Sequence, residues 1–175
     1  NVNDNHYYLL RTDINCGIMV MKLKFLCGTH RMELSRNPEQ AIHCWQNGFD
    51  TGQLLCEQQM WQEALPHLGC AFETSEILMT TKAVEPKCAY ELFTSSALLL
   101  TDAFGKLGYA DQCQEIYWMA VKWLARELSC HPEEQACIGE HLEYLYRHVQ
   151  HSESVGHQPD FGAACMHHHL RTAVH

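Results

Sequence analysis

One stretch of the sequence spaces metal-binding and acid–base side chains at the period of an α-helix. The residues, which follow one another at intervals of four, three, four and three, are Cys137, His141, Tyr144, His148 and His151. Because a helix repeats every ~3.6 residues, this spacing predicts that they share one face. A cysteine and a histidine one turn apart can bind the same zinc ion. The stretch therefore gives a candidate site for zinc or another transition metal at Cys137, His141, His148 and His151.

The last part of the chain adds ligands of the same kind. Cys165 and the run His167-His168-His169 follow a predicted loop over residues 152–162. The alternative interpretation is structural: a half-exposed helix side next to an apolar stripe, followed by a solvated tail. No established zinc-ligand signature matches these residues. We therefore expect no cofactor, and zinc binding is the alternative hypothesis.

The cysteines could also supply a nucleophile. The ten cysteines stand at 16, 27, 44, 56, 70, 88, 113, 130, 137 and 165, and no two of them form a CxxC pair. Most fall on predicted apolar helix faces, where we expect buried free thiols in a reducing compartment. The sequence has no GxSxG, Walker, HExxH or GxGxxG motif. We expect a protein that is not an enzyme, with an unrecognised cysteine site as the alternative.

Composition narrows the classes of partner. The 175 residues are 46% hydrophobic and 19% charged, with a net charge of −9 when the histidines are neutral. These values are typical of a globular protein, and no basic stripe points to nucleic acid. No run of eighteen apolar residues predicts a membrane span. We expect a cytoplasmic protein with neither a nucleic-acid nor a membrane partner.

Helix-start signals punctuate the middle of the chain. Asn37-Pro38-Glu39-Gln40 combines a capping residue, a proline at the first helical position and a glutamine three residues after the cap. Similar signals occur at Glu85-Pro86, Asp111 and His131-Pro132. Apolar residues between them recur every three and four positions, which predicts an all-α fold of about six or seven helices. We divide the chain into 1–36, of uncertain structure, a helical-repeat domain over 37–151, and a loop and short His-rich helix or tail over 152–175.

Two blocks of the sequence align without gaps. Residues 52–78 match residues 101–127 at an offset of 49, by residue class rather than by identity. The paired positions with small or interlocking side chains are Ala64 with Cys113, Leu68 with Tyr117, and Ala71 with Ala120. The two blocks resemble the tetratricopeptide repeat (TPR) in three features: this small–large–small pattern, the Leu107-Gly108-Tyr109 turn and Gly52. The TPR family, however, repeats about every 34 residues. The resemblance implies stacked antiparallel helical hairpins, as a TPR-like superhelix or a helical bundle.

Pro66 predicts where the first of these hairpins turns. Proline in the middle of one helix from 50 to 79 would cost roughly 3 kcal/mol. Near the start of a helix the missing N–H costs little, because the first N–H groups have no internal partner. The proline thus predicts a turn near Met60-Trp61-Gln62 and a second helix that begins at about Gln62 or Glu63.

A stack of helical hairpins implies a function in binding. Such stacks leave a concave groove that takes up a partner segment. We therefore expect a non-enzymatic adaptor, chaperone or regulator that binds a protein or peptide. The candidate partner-binding residues are Tyr90, Tyr109, Tyr117 and Trp118. A homodimer is also compatible with this layout, because helical repeats often pair through their terminal helices.

Overall fold

The fold is mostly helical in the part of the chain that the structure describes. This computed structural model describes residues 11–12 and 21–154, and the side chains of residues 23–150. The elements are the strands β1 (Arg11–Thr12) and β2 (Met21–Lys22), the helices α1 (Gly28–Arg36), α2 (Pro38–Glu57), α3 (Trp61–Thr80), α4 (Pro86–Lys106) and α5 (Ala110–Cys130), a 3₁₀ helix (Pro132–Glu134), and α6 (Gln135–Ser154). The two strands pair antiparallel, Arg11 opposite Lys22. The predicted all-α fold with six or seven helices is confirmed for these residues.

The helices stack in chain order. α2 packs on α3, α3 on α4 and α4 on α5, while α6 covers α5 and α4, and α1 covers α3 and α2. The middle helices α3 and α4 are buried along most of their length, and α2 and α5 bury one face each. Trp45 Nε1 donates to Ser96 Oγ over 2.9 Å and so joins α2 to α4. Within the described residues, no helix has the length and hydropathy that a bilayer crossing requires.

The turns of the two hairpins have the same geometry at the predicted offset. In the first, Gln59 N donates to Cys56 O over 2.9 Å and Met60 N donates to Leu55 O over 2.9 Å. In the second, 49 residues later, the same two bonds run from Gly108 N to Gly105 O and from Tyr109 N to Phe104 O, at 3.0 Å each. These are the paired bonds of a Schellman motif, which ends a helix in a left-handed residue. The same turn thus recurs in the backbone at the offset of 49 residues.

The left-handed residue differs between the two turns. It is Gln59, with a φ of 60°, in the first and Gly108, with a φ of 77°, in the second. Glycine adopts this conformation without a steric penalty, whereas a residue with a Cβ pays about 1 kcal/mol. The glycine therefore indicates the second turn in the sequence, whereas the glutamine does not indicate the first.

Pro66 lies just past the first turn of α3. The helix begins at Trp61, one residue before the predicted start, so Pro66 is its sixth residue. The N–H that proline lacks would have donated to the Gln62 carbonyl. Pro66 and Gln62 both have exposed side chains, so water can reach that carbonyl and the cost of the missing bond falls. The predicted hairpin turn is confirmed.

The two helices of the first hairpin approach each other closely at a glycine. A Cβ built on Gly48 would lie 2.9 Å from the His67 carbonyl oxygen and 3.4 Å from Ala71 Cβ. The obstacle is backbone, which cannot rotate aside as a side chain does. Only glycine therefore fits at this position of α2 without moving α3.

We expect Gly48→Ala to lower the free energy of unfolding by about 1–3 kcal/mol, because the new methyl group forces the two helices apart. Urea denaturation followed by circular dichroism measures the change. The matched control is Gly139→Ala in α6, where an added Cβ meets nothing within 4 Å and alanine is favoured by about 0.5–1 kcal/mol. Stabilisation by both substitutions would contradict the close approach.

Candidate functional site

The predicted metal-binding face of α6 is turned towards α4. His148 Nε2 lies 2.8 Å from Asp102 Oδ1, and both side chains are largely buried. The His141 ring packs at a tilt against the Tyr90 ring, with centroids 6.3 Å apart. Cys137 is half-buried near the same tyrosine. Three of the four predicted ligands therefore take part in the packing of α6, which is the structural interpretation of their spacing.

The described residues do not bring metal ligands together. Among residues 23–150, no group of three or more histidine, cysteine, aspartate or glutamate side chains is placed to hold an ion. Burial raises the pKa of Cys137, which favours the thiol over the metal-binding thiolate. Burial also lowers the pKa of His141. The side chain of His151, together with Cys165 and the run 167–169, lies outside the described residues.

The four aromatic residues predicted to bind a partner differ in their exposure to solvent. Tyr90 is only 2% exposed, so its burial removes it from the surface candidates. Trp118 is 55% exposed and Tyr109 is 42% exposed. Tyr117 is half-buried and meets the Trp118 ring edge to face, with centroids 5.3 Å apart. The structure thus leaves Trp118, supported by Tyr117, as the most accessible of the four.

A short segment before α1 crosses from one hairpin to the other. Leu23 N donates to Glu115 Oε1 of α5 over 3.3 Å, and Phe25 N donates to Glu73 Oε1 of α3 over 2.7 Å. Leu26 N donates to the other carboxylate oxygen of Glu73 over 3.2 Å. Each helix therefore presents a carboxylate to the backbone of an apolar, non-helical segment, residues 23–26.

Side chains hold the same segment against α3. The Phe25 ring lies directly over Gly69, where a Cβ would overlap it, and Leu26 is buried. Arg31 of α1 pairs with Glu73 over 3.2 Å and also with Glu76. Glu73 is largely buried, and these donors compensate for the loss of its hydration.

The position in α5 that corresponds to the covered Gly69 of α3 is exposed. At the 49-residue offset, Gly69 of α3 corresponds to Trp118 of α5. Glu115 and Trp118 are three residues apart on one helix and so are neighbours on its surface. Gly69, Glu73, Glu115 and Trp118 together form what we call the α3–α5 surface. Residues 23–26 cover its α3 part and reach Glu115 of α5, whereas Trp118 remains exposed.

A second cluster lies between α2 and α3. Cys44 Sγ is 3.6 Å from Cys70 Sγ and 3.6 Å from Thr74 Oγ1, and both cysteines are half-buried. Cys44 is one helical turn before Gly48, and Cys70 adjoins Ala71. The close approach of the two helices therefore brings the two thiols together.

The environment makes these two thiols unequal. The hydrogen bond from Cys70 lowers the pKa of Cys44 to about 6; burial opposes this, and Thr74 and the charge of His30 act in the same direction as the hydrogen bond. The same hydrogen bond raises the pKa of Cys70, with burial adding to it. Of the two thiols, Cys44 is therefore the one that ionises more readily. By contrast, burial raises the pKa of Cys56 to about 11.

Sequence reasoning missed both of these features. The cysteines are 26 residues apart on two helices, so only the register of the hairpin pairs them. The segment 23–26 showed an alternating pattern, but nothing in its residues indicated which surface it would cover. The small residues Gly48 and Gly69 were the available signals, since each stands on a helix where another group comes close.

Comparison with known proteins adds no family assignment: no protein-family model, curated protein or solved structure matches the chain. The resemblance to the tetratricopeptide repeat stays a prediction that rests on the residues of the two hairpins.

We expect Glu73→Ala to release residues 23–26 from α3, because Phe25 N and Leu26 N lose their acceptor. Hydrogen bonds to a charged group contribute about 1.5–3 kcal/mol each, so amide exchange at both residues should accelerate at least about tenfold. NMR-detected exchange measures this. Glu76→Ala, which removes a contact to Arg31 but no backbone acceptor, is the matched control. Unchanged exchange in Glu73→Ala would contradict the assigned contacts.

We expect iodoacetamide to alkylate Cys44 with a rate that reaches half its maximum near pH 6, because the thiolate is the reactive form and predominates above the pKa. Peptide mass spectrometry assigns the label. Cys88 is the internal control, since burial raises its pKa. Cys70→Ala removes the hydrogen-bond donor and should move the Cys44 midpoint upward. A Cys44 rate that still climbs above pH 9 would be inconsistent with this environment.

Proposed function

We propose that this protein is a binding adaptor, without catalysis of its own in that role, and that the α3–α5 surface recognises a non-helical segment of a partner protein. The observation that carries the proposal is the placement of residues 23–26. The chain's own segment already satisfies two carboxylates and covers a glycine on this surface, as a bound peptide would.

The chemistry of that segment indicates what a partner segment should contain. Leu23 and Phe25 are half-buried while Lys24 between them is exposed, which is the alternation of an extended strand. The carboxylates of Glu73 and Glu115 accept backbone N–H groups. Backbone bonds supply sequence-independent affinity, and the places for alternate side chains supply selectivity. We infer a partner segment with apolar residues at alternate positions.

Electrostatics favour a basic segment. The chain carries a net charge of −9, and the carboxylates of Glu73 and Glu115 contact residues 23–26. The sequence Lys22-Leu23-Lys24-Phe25-Leu26 places a lysine before each of the two half-buried side chains. An acidic surface raises the rate at which such a basic segment associates.

Exposed Trp118 supports binding beyond the part of the surface that residues 23–26 cover. Tryptophan is enriched among residues that dominate binding energy at interfaces. The ring is exposed on α5 at the position that corresponds to Gly69, which the Phe25 ring covers on α3. A longer partner segment would therefore meet Glu73 and Gly69 first and Trp118 after passing Glu115.

The test uses the chain's own segment as a probe in trans. A fluorescent peptide of sequence KLKFL, with both ends blocked, is titrated with the full chain carrying Phe25→Ala, and anisotropy reports binding. Phe25→Ala weakens the resident segment, so the peptide should bind this variant at least about tenfold more tightly than the wild type, a difference of about 1.4 kcal/mol.

Matched variants in the Phe25→Ala background locate the binding. Trp118→Ala should weaken a version of the peptide extended by three residues at its amino end, the end nearer α5. Tyr144→Ala removes an aromatic side chain of similar exposure, 51%, from α6 and should leave the affinity unchanged. Equal affinity for wild type and Phe25→Ala, or equal losses from the two aromatic substitutions, would reject the α3–α5 surface as the recognition site.

A further inference from the structure

The pair of cysteines between α2 and α3 takes no part in the proposed recognition of a partner segment. Their sulfur atoms are 3.6 Å apart in a half-buried position, and the Thr74 hydroxyl is 3.6 Å from Cys44 Sγ. We propose that Cys44 and Cys70 form a thiol–disulfide redox site, in which a low-molecular-weight disulfide such as oxidised glutathione converts the two thiols into an interhelical disulfide.

The two sulfur atoms are in van der Waals contact. A disulfide bond of about 2.05 Å requires them to approach by roughly 1.5 Å more. The helices are already close at this level, because Gly48 one turn away lets the α3 backbone approach within 2.9 Å of where a Cβ would stand. Side-chain rotation and a small shift of two stacked helices supply the remaining approach.

The two sulfur atoms have different tasks in the exchange. The Cys44 thiolate attacks one sulfur of the disulfide RSSR, forms a mixed disulfide Cys44–S–SR and releases RS⁻. Cys70 then loses its proton to solvent, and its thiolate attacks Cys44 Sγ. The Cys44–SR bond breaks, the Cys44–Cys70 bond forms, and a second RS⁻ leaves. The two cysteines are oxidised by two electrons in total, and RSSR is reduced to two thiols.

The environment of each sulfur suits this order of steps. Cys44 is the more readily ionised of the two thiols, and the thiolate is the species that attacks a disulfide. The main cause that raises the pKa of Cys70 is its hydrogen bond to Cys44. That cause disappears once the Cys44 sulfur belongs to a mixed disulfide and no longer accepts the proton. The first step therefore makes Cys70 easier to deprotonate for the second.

Other described cysteines lack these features. Cys113 Sγ donates to the Thr101 carbonyl over 3.2 Å, and burial raises its pKa. Burial likewise raises the pKa values of Cys56 and Cys88. These thiols provide internal controls, because they belong to the same folded chain and are treated with the same reagent. They do not have the paired geometry of Cys44 and Cys70.

The experiment equilibrates the reduced full chain with glutathione buffers of graded ratio at pH 7.5. Free thiols are then blocked, and peptide mass spectrometry maps the products. We expect a peptide that joins Cys44 to Cys70, with the loss of two hydrogen atoms, as the main intrachain product. It should disappear on addition of dithiothreitol.

Single substitutions test the order of the steps. Cys70→Ser should trap glutathione on Cys44, because no second sulfur resolves the mixed disulfide. Cys44→Ser should leave Cys70 largely unmodified. Cys113→Ser is the matched control and should form the same interhelical disulfide as the wild type. Circular dichroism verifies that each variant is helical.

Three outcomes would overturn the proposal. The first is wild-type protein that stays folded and forms no Cys44–Cys70 peptide in excess oxidised glutathione. The second is a dominant disulfide between other cysteines. The third is glutathione in Cys70→Ser distributed equally over Cys44, Cys88 and Cys113. None of these depends on peptide binding at the α3–α5 surface, so the redox site and the proposed function can fail separately.

Discussion

The close approach of α2 and α3 at Gly48 is the constraint on which the contact between Cys44 and Cys70 depends. With a Cβ at this position, the His67 carbonyl would be within 2.9 Å, so the helices can approach this closely only around a glycine. Their approach brings the sulfur atoms of Cys44 and Cys70 into contact one turn away. The same helix α3 carries Gly69 and Glu73, which residues 25 and 26 contact. α3 therefore contributes both one thiol of the pair and the surface that residues 23–26 cover.

The two hairpins share a backbone plan and differ on their outer faces. Their turns repeat the same hydrogen bonds 49 residues apart, yet Gly69 in one is replaced by Trp118 in the other. The glycine admits an aromatic ring from residues 23–26, and the tryptophan presents its own ring to solvent. The same turn geometry with a different residue at one position therefore leaves α3 with a covered glycine and α5 with an exposed tryptophan.

The sequence predicted the helices and the turn well, because these depend on local signals. Periodic apolar residues, Pro38 at a helix start and Gly108 at a turn all act within a few positions of the chain. Pro66 predicted the first turn through the cost of a proline inside a helix. The metal-binding hypothesis rested on the same local spacing and identified residues that share one face of α6. On that face, His148 contacts Asp102 and His141 contacts Tyr90, both on α4. Contacts such as Cys44 with Cys70 depend on the relative register of two helices, which no local pattern encodes.

The chain-order stacking of the helices also affects how the molecule reaches its native state. Most contacts join helices that are neighbours along the chain, so the contact order is low and loop-closure costs are small. The α3–α4 pair, buried along most of both helices, is the central layer on which the other described helices pack. α6 closes over Asp102, whose Oδ2 is buried and finds no hydrogen-bond partner among the described residues. Detaching α6 would break the contact of His148 with Asp102 Oδ1 but would return Oδ2 to water, which offsets part of the cost of opening the stack at this helix.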